Sequence, residues 1–509
     1  MPIYKAYNVT VFLKLTVNIK WGKEKFEDVE LNTDEPPEVF KAQLFALSGV
    51  HPARQKVMVT GSILKDDEWG PAENKLKDGA LLLMMGTAEA LPQEPAEKPV
   101  FVEDMSEQQL ASAMDLPSGL TNLGNTCYMN ATVQCLRAVP ELKTALKRFT
   151  GGLTVEGAIS PADSITAALR DLCTSMDRTS APIPPIIFLQ ILHMAYPRFA
   201  EKGENGSYQQ QDANECWTEI VRSLQQKLKP VIPLRNGEPM ETGTNSQAAA
   251  ECGFIDQYFG GEFETIMKCN EAPEEGEVRT TEKFLQLSCF IEKDVKYMHT
   301  GLQSRLQESI TKNSPTLGRD AVYTKSSRIS RLPGYLTIQF VRFYYKEKQS
   351  TNAKILKDIK FPLLLDVFDL CTPALQQKLI PMRERFKAME DKKVEQAQSS
   401  KGKAPVVKKD KKDVKTEIYW FPDDLGSNNS GYYELSAVLT HKGRSSSSGH
   451  YVAWVRKTGD EWLMFDDDRV TPVSSEDILK LSGGGDWHCA YVLLYQPRLL
   501  ELDDEPAQS

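Results

Sequence analysis

The run Gly119-Leu-Thr-Asn122-Leu-Gly124-Asn125-Thr126-Cys127-Tyr-Met-Asn130 constrains this chain more than any other stretch. A short loop with two glycines leads into a cysteine. Met129, Val133 and Leu136 then recur at i, i+4 and i+7, which predicts a helix. Cys127 falls in its first turn, where unpaired N–H groups and the helix dipole favour thiolate. Thiolate is the nucleophilic form of the side chain, so the pattern points to attack on a carbonyl. Such chemistry needs a base, a group that orients the base, and donors for the oxyanion.

Composition narrows the setting. The chain has 509 residues, 41% hydrophobic and 26% charged, with a formal net charge of −9. These values are ordinary for a globular protein. The acidic balance argues against general nucleic-acid binding, which needs basic surface. No apolar run reaches the ~18–20 residues of a membrane span. Val9 to Val17 is short and contains Lys14, so it reads as a strand and not as a signal peptide. The nine cysteines are odd in number and form no CxxC pair. That spacing suits reduced cytosolic thiols and no metal, disulfide framework or cofactor.

Residues 1–90 read as a small α+β module. Leu15 to Lys20 and Phe26 to Leu31 alternate apolar and polar around Trp21-Gly22-Lys23, a hairpin signal. Thr33 and Asp34 are expected to cap a helix with Pro36 and Pro37 in its first turn. Val39, Leu44 and Leu47 read as its apolar face. Lys56 to Thr60 and Ala80 to Met85 are further strands. This order resembles the ubiquitin-like β-grasp that heads one deubiquitinase subfamily. Gly86-Thr87 stands where a conjugated modifier has a free Gly-Gly end, so the module is expected to bind partners and not be conjugated. Whether Val9 to Leu13 or Leu15 to Lys20 forms the first strand stays open.

Residues 91–115 carry Pro92, Pro95 and Pro99 among acidic residues and read as a linker. Residues 116–498 read as one large unit, helical first and strand-rich later, which suggests two lobes facing a cleft. Ile165, Leu169 and Leu172 form a helical stripe. Phe284 to Phe290, Tyr335 to Val341, Tyr433 to Leu439, Tyr451 to Val455 and Ala490 to Tyr495 read as strands. Residues 374–416 read as a charged mobile insertion, helical over 374–395 and lysine-rich over 396–416. Residues 499–509 form an acidic tail.

The best candidate base is His450, where the glycine- and serine-rich loop 443–449 enters an apolar strand. If Tyr451 to Val455 and Trp462 to Phe465 pair as a hairpin, Asp466 lies beside His450 and can orient it. Alternation favours Asp466 over Asp467, because adjacent side chains point to opposite faces. The bland alternative is a turn of solvated aspartates. Asn122 could supply an oxyanion donor, or it could merely shape the turn before Cys127.

Four motifs then coincide with those of ubiquitin-specific proteases. The run ending at Cys127 resembles their Cys box. Gln210-Gln211-Asp212-Ala213-Asn214-Glu215 resembles their glutamine–aspartate motif. Gly449-His450-Tyr451-Val452 with Phe465-Asp466-Asp467 resembles their His box, and Ala490 to Tyr495 their closing strand. The resemblance implies an α+β chain: a β-grasp module plus a papain-like finger–palm–thumb protease. It implies a triad of Cys127, His450 and Asp466, with Asn122 at the oxyanion, acting on the isopeptide bond at ubiquitin's C-terminal glycine. Gln211 and Asp212 are then expected to hold the ubiquitin tail, and Tyr451, Tyr491, Phe343 and Tyr344 to wall its channel. Ubiquitin and polyubiquitin conjugates are the implied partners, with the 26S proteasome regulatory particle bound through the ubiquitin-like module, in cytoplasm and also nucleus. Ser445, Ser446, Ser447 and Ser448 are read as a covering loop that phosphorylation opens. Two competing readings are a non-catalytic ubiquitin-binding regulator of the proteasome and a papain-like protease of general peptides.

Overall fold

The computed structural model describes residues 15–65, 68–70, 75–88, 116–152, 160–203, 206–230, 234–235, 238–239, 253–346, 351–399, 415–445, 448–485 and 487–502. The readings made for residues 1–14, the linker 91–115, the lysine-rich stretch 400–414, and Ser446 and Ser447 lie outside them. The chain divides into two compact units, residues 1–104 and 105–509.

In the first unit, strands β1 (Leu15–Trp21), β2 (Glu24–Leu31), β3 (Lys56–Val59), β4 (Ser62–Ile63) and β5 (Ala80–Met85) form one sheet in the order β2-β1-β5-β3-β4. β1 and β5 run parallel at its centre. Helix α1 (Pro37–Ser48) closes the inner face, where Phe40 and Leu44 meet Val17, Ile19, Val57, Leu82 and Met84. This is the β-grasp arrangement.

Three local expectations need correction here. Pro36, not Thr33 or Asp34, is the residue before the helix, and no side chain caps it. Pro37 at the first helical position has its φ preset and no N–H to satisfy, so a cap is less needed. The buried face is Pro37, Phe40 and Leu44, while Val39 and Leu47 are exposed. The third strand ends at Val59, because Thr60 (φ 38°) and Gly61 (φ 86°) turn it into β4.

The second unit begins with helices α2 (Cys127–Arg137), α3 (Pro140–Arg148), α4 (Pro161–Met176), α5 (Ile186–Ala195), α6 (Ala213–Lys227) and α7 (Phe254–Phe259). Two sheets follow. A four-stranded sheet has the order β9 (Gln307–Ser314), β10 (Arg319–Arg331), β6 (Gly261–Cys269), β7 (Glu277–Phe284). An eight-stranded sheet runs β8 (Leu287–Phe290), β11 (Leu336–Val341), β19 (Cys489–Pro497), β15 (Tyr432–Ser445), β16 (Ser448–Thr458), β17 (Glu461–Asp466), β18 (Arg469–Ser474), with β14 (Leu364–Asp366) also on β15. Strands β12 (Phe343–Lys346) and β13 (Thr351–Lys354) form a separate hairpin. The run Phe284 to Phe290, read as one strand, is broken: its two ends belong to different sheets.

The large sheet is covered on both faces. Tyr451 and Ala453 join the core with α2, whereas Val452 and Trp454 join the core on the other side. That is why β16 and β19 read as continuous apolar runs instead of alternating ones. Helix α2 is buried from Cys127 to Leu136, polar residues included. Two of those polar groups bond to backbone: Thr132 Oγ1 donates to the Tyr128 carbonyl (2.8 Å) and Gln134 Nε2 to the Ser118 carbonyl (3.0 Å).

The first part of the charged insertion is helical, as read, and the helix runs a few residues further. Residues Pro373–Ser399 form one helix, α8, docked through buried Leu375, Leu379 and Phe386. Arg383 adds a two-pronged bond to Asp366 at 2.9 and 2.7 Å. Among the described residues, no helix is long and apolar enough to cross a membrane.

Candidate active site

Cys127 is the first residue of α2, with Thr126 before it. Gly124 (φ 99°) and Asn125 (φ 54°) make the left-handed turn that delivers the chain into the helix. Asn122 ties this loop together. Its Oδ1 accepts from Gly124 N at 2.9 Å and from Thr126 N and Oγ1 at 3.3 Å each. The sulfur is nearly enclosed, with Cys127 2% exposed. It receives N–H groups from Tyr451 (3.4 Å) and from the Gln210 side chain (3.3 Å). Such donors favour the charged form of a thiol.

His450 and Asp466 come from paired strands. β16 and β17 are in register at Ala453 and Phe465, which brings the start of one beside the end of the other. His450 Nε2 lies 2.5 Å from Asp466 Oδ1. With Nε2 engaged, Nδ1 is the ring nitrogen left for the thiol. The Asp466 bond, followed by a hydrogen bond with Cys127, pushes His450 from its ordinary 6.5 up to about 10. The same bond holds the Asp466 carboxyl below its usual range. The pair with Asp466 therefore favours an imidazolium beside the Cys127 sulfur.

Asp467 has a separate task that alternation alone did not assign. Its two oxygens accept from Asn122 Nδ2 and Asn130 Nδ2, both at 2.8 Å. Its carbonyl accepts from Leu120 N at 2.8 Å. A Cβ on Gly119 would sit 2.5 Å from the Asp468 carbonyl oxygen, so only glycine permits this approach. The aspartate turn thus anchors the loop before Cys127. Asp467→Asn, which tolerates the same backbone (φ 53°), keeps one acceptor and loses the other. We expect kcat to fall by up to roughly 10²-fold with KM little changed, less than the loss of a fully engaged oxyanion donor. Steady-state kinetics on a fluorogenic ubiquitin amide checks this.

The two glutamines of the glutamine–aspartate motif take different places. Gln210 touches the sulfur, whereas Gln211 is half-buried beside it in sequence. Asp212 is the N-cap of α6, accepting from Asn214 N (2.7 Å) and Glu215 N (3.2 Å). It also accepts the Tyr491 hydroxyl at 2.7 Å. Burial pushes its carboxyl up, against these bonds. Tyr451 and Tyr491 are buried core rings, and Phe343 packs edge-on against Tyr491 at 5.1 Å. Tyr344 is exposed. Ser445 pairs with Ser448 across the tip of the β15–β16 hairpin, next to His450.

His450, Asp466 and Asp467 bring one potential metal-ligand atom each within 4.8 Å of one another. All three are already committed to the hydrogen bonds above. Cys269 and Cys289, the other thiols weighed for metal, lie on different sheets. Cys269 accepts from Ala272 N at 3.3 Å, and Cys289 donates to the Met298 carbonyl at 3.5 Å.

A helix-start cysteine facing a histidine–aspartate pair across a helical lobe and a sheet defines a papain-like cysteine hydrolase. The comparisons narrow the class. The model of the family described as Ubiquitin carboxyl-terminal hydrolase matches residues 118–495. The chain belongs to that family, and it is a thiol-dependent ubiquitinyl hydrolase with an N-terminal ubiquitin-like module. It is similar to Ubiquitin carboxyl-terminal hydrolase 7 of Arabidopsis thaliana, 41% identical over 96% of this chain and 100% of that protein. Ubiquitin carboxyl-terminal hydrolase 14 of Caenorhabditis elegans is 40% identical over 95% of this chain and 94% of its own length. Ubiquitin carboxyl-terminal hydrolase 6 of Schizosaccharomyces pombe is 39% identical over 96% and 99%. Among solved structures, the SAGA deubiquitinase module bound to monoubiquitin shares the fold, at a TM-score of 0.50 and 22% identity, covering 75% of this chain and 69% of that one.

Proposed function

We propose that this deubiquitinase trims ubiquitin from substrates held on the proteasome, docked there through its ubiquitin-like module. The hydrolytic half rests on one observation: His450 lies between Asp466 and the Cys127 thiol. In this reading Cys127 Sγ attacks the carbonyl carbon of ubiquitin's C-terminal glycine. The C–S bond forms as the carbonyl electrons move to oxygen, where Asn122 Nδ2 donates. The intermediate collapses, the C–N bond to the lysine breaks, and His450 gives its proton to the leaving amine. Water then attacks the thioester with His450 as base, releasing ubiquitin's carboxylate and restoring the thiol. Gln211, Asp212, Phe343 and Tyr344 flank the path of the tail. Because Cys127 is nearly enclosed, substrate entry requires movement nearby. The 445–448 tip is the candidate cover, with phosphate on one of its serines as the opening signal.

The docking half rests on the outer face of the β-grasp sheet. Leu81, Leu83 and Met85 on β5 are 51%, 45% and 50% exposed, and Ile63 on β4 is 60% exposed. Met58 on β3 pairs with both Leu83 and Ile63, so the five side chains form one apolar patch. Monomers rarely expose such a patch without a partner. A proteasome partner places the protein in cytoplasm and nucleus.

The test is turnover of a fluorogenic ubiquitin amide with and without 26S proteasome, comparing wild type and Leu83→Asp. Proteasome is expected to stimulate wild type. The variant should need roughly tenfold more proteasome for the same stimulation, with unchanged basal turnover, as for loss of a central apolar anchor. Equal stimulation of both proteins would sink the docking assignment.

A further inference from the structure

His441 lies on β15 directly opposite Tyr451, one residue beyond His450. It is fully buried. Its Nε2 is 3.2 Å from the Ser448 carbonyl, an oxygen that can only accept, so the ring must donate from Nε2. Nδ1 then carries a lone pair that is buried and finds no partner among the described residues. A fully apolar side chain would avoid that cost, so a histidine here calls for an explanation.

The backbone is folded tightly over this ring. Gly443 (φ 128°) and Gly449 (φ 125°) both have a conformation that other residues rarely adopt. A Cβ on Gly449 would lie 2.6 Å from His441 Nε2, and one on Gly443 would lie 3.3 Å from its Cε1. The ring also contacts the rings of Tyr451 (4.6 Å between centroids) and Phe343 (5.3 Å). Tyr451 N in turn donates to the Cys127 sulfur. His441 is therefore the surface on which the two residues before His450 rest, and it packs on the residue after it.

We propose that His441 is a positioning residue for hydrolysis: its Nε2–H tethers Ser448–Gly449 and thereby aims His450 at Cys127. It is not a second base, because it has no path to the thiol except through the chain it supports. It also stays neutral. Burial first, and then the Lys354 ammonium, push it down to about 3. Lys354 comes from β13 and donates to the His441 carbonyl at 2.6 Å. His488 and His450 are the other titratable groups that face it, and both disfavour its charge. The inference rests on His450 being the base.

Two substitutions separate tethering from filling space. His441→Phe keeps the ring volume and removes the donor. His441→Gln places an amide N–H where Nε2 was. On ubiquitin amide substrate, His441→Phe is expected to lose roughly 10- to 10²-fold in kcat, the scale of a small misplacement of a catalytic group. KM should stay within about twofold, and His441→Gln should recover most of the loss. Nitrogen-15 NMR of the wild-type ring should show a neutral Nε2–H tautomer from about pH 5 to about pH 8, where a free histidine titrates. The proposal fails if His441→Phe keeps its kcat, if only KM changes, or if His441→Gln is as impaired as His441→Phe. An Nδ1–H tautomer, or titration near the ordinary value, overturns it even if a variant does not fold. His450→Ala run in parallel tells the two levels apart: an active His450→Ala refutes the assignment of the base, whereas an inactive one beside a normal His441→Phe refutes only the tether.

Discussion

Full-length Cys127→Ala is expected to hydrolyse a ubiquitin C-terminal amide at least roughly 10⁴-fold more slowly than wild type, since residues that act as one unit fail together. The substitution keeps Cβ and removes a single buried sulfur. Its stability cost is about 1 kcal/mol, at the low end of large-to-small changes. The variant should therefore fold and still bind ubiquitin, which separates loss of chemistry from loss of structure. Five of the other thiols are poor alternatives. Burial pushes Cys173 up to about 11 and Cys289 and Cys371 up to about 12, and it raises Cys135 and Cys216 further. At neutral pH those groups are protonated and hold almost no nucleophilic thiolate. An electrophile built on the ubiquitin C terminus should label wild type at Cys127 alone, read by mass spectrometry of the digest. Label on another cysteine, or turnover surviving in Cys127→Ala, would remove the nucleophile from the scheme.

Asp466→Asn should cost up to roughly 10⁴-fold in kcat, because an amide fixes the wrong tautomer and no longer stabilises imidazolium. Its pH signature is more diagnostic than its size. In the wild type, His450 keeps its proton until the pH passes about 10, chiefly through the bond to Asp466. Turnover that depends on the imidazolium should fall as pH rises through that value. Without the carboxylate the proton leaves at lower pH, so the alkaline limb moves toward 6.5 and the deficit widens between about pH 7 and about pH 9. Folding follows the same sign. A pKa raised by folding stabilises the native state fully below the unfolded value, and this contribution is lost as pH rises through the folded value. Initial rates across that range, together with the ordinary behaviour of Asp467→Asn, decide between the two aspartates. If Asp467→Asn proves the more damaging change, their roles are exchanged.

The clustering of Cys127, His450 and Asp466 was legible because each announces itself locally. A glycine loop before a helix, a strand entered by a histidine, and a hairpin spacing of sixteen residues are short-range patterns. What escaped is mostly a matter of which face a side chain takes. Val39 and Phe40 are both apolar neighbours in α1, and only tertiary packing chose Phe40. Asp212 was read only for the ubiquitin tail, and its capping of α6 and its bond with Tyr491 were not foreseen. Gln210 and Gln211 are chemically identical in sequence, and one residue of phase put Gln210 on the sulfur. The split of Phe284 to Phe290 between two sheets has no signal in periodicity, since both halves are apolar. Asp467 carried one available clue: Asn130, three residues after the cysteine on a helix that is buried along its length, needs an acceptor for its amide.

The nucleophile and its base are supplied by opposite ends of the second unit: Tyr451 N reaches the Cys127 sulfur across 324 residues of chain. During synthesis the thiol emerges long before the strand that completes it. Contacts of such separation form late and slowly, because the long loop must close before anything rewards it. A nascent or truncated chain therefore carries Cys127 without its histidine, aspartate or backbone donor. Isopeptide cleavage becomes available only when the last strands have joined the sheet. The order of the motifs along the chain thus makes the presence of the late strands a condition of activity.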